Sequence, residues 1–256
     1  MKIYINSLLS GAKNARGTVI IIDVFRAFST AAFAFVGGAE KIILVNGAQK
    51  ALELKKKGYG DICFGEVDGI KPDGFDFGNS PYEISNSNIE GKVLIQSTMA
   101  GTAGVVAAKN ADDIYLGSLV IAEATVKSIK KSKPQIIDII AMGSGGEFRT
   151  DEDEQCALYL RNLLEGRLPD ITAVKKLILT GNESDKFDDP TMTHFHPEDR
   201  ELALQINSIP FAIKVKKEDG LLIAYPVWNL LKSNLSIYKI NGFYIPKKAK
   251  KIIFTY

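Results

Sequence analysis

An α/β protein, layered α/β/α around a largely parallel or mixed sheet, is the fold class this sequence predicts, and three observations predict it. Apolar runs of strand length alternate with helix-length stretches through the first 165 residues. Those runs are continuously apolar rather than alternating, which marks strands covered on both faces. Three of them pass through a short polar loop straight into a helical stretch. Ligands in such sheets sit outside the carboxyl ends of the strands, and all three loops fall there.

Strands are expected at 2–6, 18–23, 41–45, 61–65, 92–96, 112–116 and 136–141, with helices at 26–36, 47–57, 102–109, 119–131 and 152–165. Residues 66–91 form a long polar connection of aromatics, glycines and carboxylates. A loop of that length is functional or disordered, and the mixed composition favours function. Beyond residue 166 the pattern weakens to a helix near 172–181, a loop over 182–197 and a short helix at 198–206. Residues 211–215 and 221–225 read as paired strands around a Lys217-Glu218-Asp219-Gly220 turn. Asn241-Gly242 signals a tight hairpin near the end. The chain thus divides into a main domain over 1–227, in one piece or as two intimately joined lobes, and a hairpin extension over 228–256.

Composition excludes several classes. With 46% hydrophobic and 24% charged residues the chain is an ordinary soluble globular protein. A net charge of +2 gives no reason to expect nucleic acid or membrane as a partner. No apolar run reaches the roughly 18 residues of a membrane span, and the start lacks the apolar core of a signal peptide. Cys63 and Cys156 cannot build a disulfide framework, so the expected compartment is a reducing cytoplasm. Homo-oligomerisation is left open.

The three loops carry complementary chemistry. Asp23 ends an apolar strand, with Arg26 three residues on. A carboxylate and a guanidinium there suit a metal and a phosphoryl group; the plainer alternative is a helix cap with a surface partner. Glu66 follows the strand at 61–65 and Asp76 lies in the long loop, so both can add carboxylates at the same edge. Such a set suits Mg²⁺, which prefers oxygen ligands and shared phosphates, though Asp76 beside Gly74 and Gly78 also reads as a turn residue. Ser97, Thr98, Gly101 and Thr102 are a compact donor set before a helix, where capping is the common role. Gly143-Ser144-Gly145-Gly146 resembles a phosphate loop but lacks the ending of a nucleotide P-loop. Glu152 and Asp153 open the next helix and can reach the crevice or serve only its dipole. His194 and His196 read as loop residues and Cys156 as core.

Taken in order, these segments resemble the 2-phosphosulfolactate phosphatases (the ComB family). The matching stretches are Asp23-Val24-Phe25-Arg26-Ala27-Phe28-Ser29-Thr30, Gly65-Glu66, Gly74-Phe75-Asp76-Phe77-Gly78-Asn79-Ser80-Pro81, Ser97-Thr98-Met99-Ala100-Gly101-Thr102, Gly117-Ser118-Leu119 and Glu152-Asp153-Glu154-Gln155-Cys156-Ala157. The resemblance implies a ComB-like fold and a cytoplasmic, Mg²⁺-dependent phosphatase. Its expected reaction turns (R)-2-phospho-3-sulfolactate into 3-sulfolactate on the route to coenzyme M. It also adds Asn79 and Ser118 to the candidates. On chemical grounds Arg26, Ser97, Thr98, Gly101, Thr102, Gly145 and Gly146 are assigned to substrate or phosphate, and the resemblance places Asn79 and Ser118 with them. Asp23, Glu66 and Asp76 are assigned to metal or acid–base work, with Asp153 a further metal ligand.

Two positions depart from the family. Val67 stands where an Arg is usual and Ala100 where an Asn is usual. Each loss removes a bond to a charged group worth about 1.5–3 kcal/mol, so the phosphate half of the site is more secure than the sulfonate half. The expected function is hydrolysis of a small anionic phosphate monoester. The rivals are a phospho-ligand-binding protein without activity, a phosphatase of altered substrate, and a nucleotide-dependent transferase, for which no nucleoside pocket is visible.

Overall fold

Runs rich in Ile and Val become strands because β-branched side chains pack well on both faces of a pleated ribbon. The computed structural model describes residues 1–228 and a short strand pair, Lys239–Ile240 against Phe243–Tyr244. Asn241 and Gly242, the expected turn, and the other residues of the expected extension lie outside the described residues.

The strands of the main sheet are β1 (Lys2–Ser7), β2 (Gly17–Ile22), β3 (Lys41–Val45), β4 (Ile62–Gly65), β5 (Val93–Ser97), β6 (Ala111–Gly117), β7 (Ile136–Ala141), β8 (Phe211–Glu218) and β9 (Leu221–Trp228). The helices are α1 (Leu8–Asn14), α2 (Ala27–Val36), α3 (Ala48–Lys56), α4 (Pro81–Ser85), α5 (Gly101–Ala107), α6 (Ala122–Ser132), α7 (Asp151–Leu164), α8 (Ile171–Leu179), α9 (Asn182–Asp185) and α10 (Pro197–Ala203). Helices α1 and α4 were not expected, and α9 interrupts the expected loop over 182–197. All three are short, and α1 carries Ser10 and Gly11, which blur its periodicity. None of the described helices is long and apolar enough to cross a membrane.

The sheet runs β1-β7-β2-β6-β8-β9-β3-β5-β4. β1, β7, β2 and β6 are mutually parallel, as are β3, β5 and β4. Between the two groups sits the β8–β9 hairpin, antiparallel to both neighbours. Three antiparallel pairings in succession reverse the second group relative to the first. A flat sheet would therefore send their carboxyl ends to opposite edges. Accumulated twist, ~20–25° at each step, swings them toward one another. Gln96 of β5 accordingly donates to the Ala27 carbonyl at the start of α2, at 2.8 Å.

Alternate residues of each strand serve different layers. Val19 and Ile21 of β2 share a core with Ile42 and Leu44 of β3, and α1, α2, α4 and α5 cover that face. Ile20 and Ile22 face the opposite way, beneath α6, α7, α8 and α10. Ile43 and Val45 pack under α3. Helix α2 is buried along almost its whole length, so its Ala and Phe residues read as core on every side. Phe28 is fully buried there. Phe28→Ala is expected to cost about 3–5 kcal/mol, read as a lower urea midpoint at unchanged slope.

Candidate active site

Asp23 is the first residue past β2, and the fold buries it where the two strand groups meet. Its Oδ1 accepts from the Ala27 amide at 2.9 Å, and the Gly101 amide also reaches the carboxylate. A Cβ on Gly101 would lie 2.8 Å from Asp23 Oδ2 and 3.0 Å from the Ala27 Cβ, so only glycine permits this approach. Burial lifts the Asp23 pKa to about 7. The Ala27 amide opposes the rise, the charge of Glu66 adds to it, and the Gly101 amide and Arg26 oppose it more weakly. Asp23 opens onto a cleft of about 480 Å³.

Glu66 extends β4, whose last rung is held by its amide bonding to the Ser97 carbonyl at 3.0 Å. Its Oε2 accepts from the Gly69 amide at 2.9 Å and its Oε1 from the Met99 amide at 2.7 Å. One carboxylate thus orders both the turn after β4 and the loop after β5 while lining the cleft.

The third wall follows β7. Asp153 Oδ1 accepts from the Val24 amide and Oδ2 from the Gly143 amide, each at 2.8 Å. Glu152, its neighbour on α7, lines the cleft and is almost wholly buried. Burial raises the Glu152 pKa to about 8; the Thr150 hydroxyl and its own amide oppose this, and the charges of Glu183 and Asp23 add to it. The Asp153 carboxyl is likewise held well above its ordinary value by burial and by Glu152 and Asp23. Gly145 and Ala100 also line the cleft, and their amides, with that of Gly146, donate to no acceptor among the described residues.

Several expected site residues lie elsewhere or are otherwise engaged. Asp76 is not on the cleft: its carboxylate bonds Lys55 Nζ and the Cys63 amide, tying the long loop to the start of β4. Ser118 is buried against Ser29 Oγ at 2.7 Å. Ser97 Oγ accepts from the Gly47 amide. Thr98 and Thr102 bond one another around the first turn of α5, the capping role. The Gly101 amide serves Asp23 rather than a ligand. Asp153 orders two loops through its two oxygens and is not among the residues that line the cleft. Asn79 does line the cleft, and its buried Oδ1 has no partner among the described residues.

Arg26 reaches the cleft, but its fork is turned to protein acceptors. Nη1 donates to the His194 carbonyl at 2.6 Å and to Asp199 Oδ2 at 2.9 Å, and Nη2 to the Gly69 carbonyl at 3.1 Å. Its guanidinium lies 4.2 Å from the Phe195 ring centroid. The ion pair is 2% and 0% exposed. Asp199 in turn accepts from the Ser80 hydroxyl and the Tyr82 amide. Arg26 therefore clamps the 66–81 loop and the 183–199 segment to the start of α2. Sequence reasoning missed that segment's part in the site: Glu183, Lys186, Met192, His194 and Phe195 all line the cleft. The separated histidines were its one signal, and nothing local pairs Asp199 with a residue 173 positions earlier.

Among the described residues no group of three or more His, Cys, Asp or Glu side chains is arranged to hold an ion unaided. Mg²⁺, however, commonly takes one or two carboxylates and completes its shell with waters and substrate oxygens. Asp23 and Glu66, mutually repelling carboxylates on one cleft, fit that pattern.

A family profile described as 2-phosphosulpholactate phosphatase matches residues 4–196. A Bacillus subtilis (strain 168) protein named probable 2-phosphosulfolactate phosphatase is 33% identical over 203 residues, 78% of this chain and 87% of its own length. One of the same name from Carboxydothermus hydrogenoformans is 38% identical over 166 residues, 64% of this chain and 68% of its own.

Two outcomes are expected. Asp199→Ala leaves a buried guanidinium unpaired and should cost about 3–5 kcal/mol in urea unfolding, with Asp199→Asn milder. The carboxyls of Asp23 and Glu152 move from ordinary values of 3.8 and 4.5 up to about 7 and about 8 in the folded chain. Between those limits the folded chain holds protons that the unfolded chain has released, so stability falls as pH rises. In chelator, Asp23→Asn should therefore raise Tm at pH 8 more than at pH 5; an equal shift at both would refute the assignment.

Proposed function

The chain belongs to the 2-phosphosulfolactate phosphatase family of phosphoric monoester hydrolases, and from that premise we propose that it hydrolyses a small phosphate monoester at Asp23, Glu66 and Glu152, with Mg²⁺ as cofactor and the cytoplasm as its compartment. The observation that carries the reading is the meeting of these three carboxyls on one cleft, although two follow different strands and the third opens a helix. 2-Phosphosulfolactate, the ester in the relatives' names, is the reference substrate. Supply of sulfolactate to coenzyme M belongs to the same proposal.

The phosphoryl group sits against the amides of Ala100 and Gly145, which have no acceptor among the described residues. Asp23 and Glu66 would hold Mg²⁺, which when bound neutralises phosphoryl charge and orients the ester for in-line displacement. A water attacks phosphorus and its proton passes to Asp23. As the new P–O bond forms, the bond to the alcohol oxygen breaks. Glu152, whose high pKa keeps its proton at neutrality, gives that proton to the departing alkoxide. The products are the alcohol and inorganic phosphate.

Phosphate release from 2-phosphosulfolactate, phospholactate and phosphoglycolate, with and without Mg²⁺, tests this. Turnover should need Mg²⁺, and Asp23→Asn and Glu152→Gln should each lower kcat by about 10²-fold or more. The Glu152→Gln loss should shrink for 4-nitrophenyl phosphate, whose leaving group needs no proton. Absence of turnover on every ester would sink the reading.

A further inference from the structure

The side chains nearest the proposed acid bear on which alcohol the site receives, an inference that rests on the hydrolase reading above. Glu152 gives its proton to the ester oxygen, so the alcohol has to lie beside it. That side of the cleft is bounded by α9. A Cβ on Gly181, the residue before α9, would run into the Asp151 carboxylate, so the start of α9 abuts the start of α7, where Glu152 stands. Burial is the main cause of the raised Glu152 pKa, and the charge of Glu183 on α9 adds to it. Glu183 and Lys186, the residue that ends α9, both line the cleft.

Lys186 Nζ lies 2.5 Å from Glu183 Oε2, in a pair that is 30% and 24% exposed. An ion pair this open adds little to stability. The bond takes one of the three N–H donors of an ammonium, and the flexible stem can turn the others to a ligand. Arg26, also on the cleft wall, is committed differently: its fork holds Asp199 and two carbonyls and is almost wholly buried. The Phe195 ring neighbours both cations, with its centroid 4.2 Å from the Arg26 guanidinium carbon and 6.0 Å from Lys186 Nζ. Its edge-on packing against Phe187, 5.3 Å between centroids, fixes that ring. Glu183 and Phe195 thus keep a mobile cation on the leaving-group side of the site.

We propose that Lys186 is a specificity-determining residue that binds an anionic group on the substrate's alcohol, a carboxylate or sulfonate, with Glu183 positioning its ammonium. The phosphoryl group keeps the Ala100 and Gly145 amides, and the alcohol's own anion shares the ammonium with Glu183. Hydrolysis keeps the balance given above: water adds to phosphorus, and the anionic alcohol leaves with the proton from Glu152.

Steady-state kinetics of the Mg²⁺-loaded full chain on 2-phosphosulfolactate, 2-phospholactate and isopropyl phosphate test it. These esters of secondary alcohols carry two, one and no further anionic groups. Lys186→Met should lower kcat/KM for 2-phosphosulfolactate at least about tenfold more than for isopropyl phosphate, mainly through KM. Lys186→Arg, which keeps the charge, should restore most of that difference. A 2-phospholactate loss that follows 2-phosphosulfolactate assigns the carboxylate to Lys186, and one that follows isopropyl phosphate assigns the sulfonate. Equal losses on all three esters overturn the proposal, since they place Lys186 on the phosphoryl group or in the fold. Cleavage of none by the unaltered chain would defeat the hydrolase reading instead. Calorimetry with 3-sulfolactate then decides the inference: a Kd at least about tenfold weaker in Lys186→Met upholds it, and equal affinity, or no binding to either chain, overturns it.

Discussion

The Asp23 carboxylate is held from both sides of a sheet whose two parallel groups run in opposite senses. The Ala27 amide follows β2 and the Gly101 amide follows β5, so one side chain joins the two groups at their carboxyl ends. The contact needs a glycine at 101 and a sheet twisted enough to bring β5 toward α2. Glu66 does similar work one strand further, binding amides from two loops. Asp153 does it for the third junction. Acidic groups are the pins of this rim, each satisfied by backbone donors.

Such a rim is electrostatically expensive. Asp23, Glu152 and Asp153 are buried together, and their protons are correspondingly hard to remove. Arg26, the cation nearest in sequence, does not neutralise them directly. It spends its fork on Asp199 and two carbonyls, fastening the 66–81 loop and the 183–199 segment over the cleft. The strain of like charges is the kind of arrangement that a divalent cation and a phosphoryl group relieve together.

Much of this was legible in the chain. The strands β1 to β7 lie within a residue or so of their apolar runs, which are rich in the β-branched residues that pack on a pleated ribbon. Asp23 and Glu66 were expected at strand ends that open on the crevice, and both line it; the bond from the Ala27 amide to Asp23 is what the plainer helix-cap reading also expects. Asp76, Ser118 and Thr102 misled for a physical reason. A carboxylate or hydroxyl near a Gly-rich loop can serve a ligand or a backbone amide with the same atoms, and here the amide or a neighbouring side chain won. Local spacing cannot tell these apart.

What lies in the residues alone is local: periodicity, turn chemistry, and the residue types that gather at strand ends, all of them interactions spanning a few positions. Those sufficed for the layered α/β class and for bringing Asp23 and Glu66 to the cleft, but not for separating them from Asp76 and Asp153. Folding in space settled the rest. The β8–β9 hairpin sits in mid-sheet, Asp199 reaches Arg26 across 173 residues, and residues of 183–195 form one wall of the cleft. Those pairings depend on how twist and packing bring distant segments together, and no single stretch of chain encodes that distance.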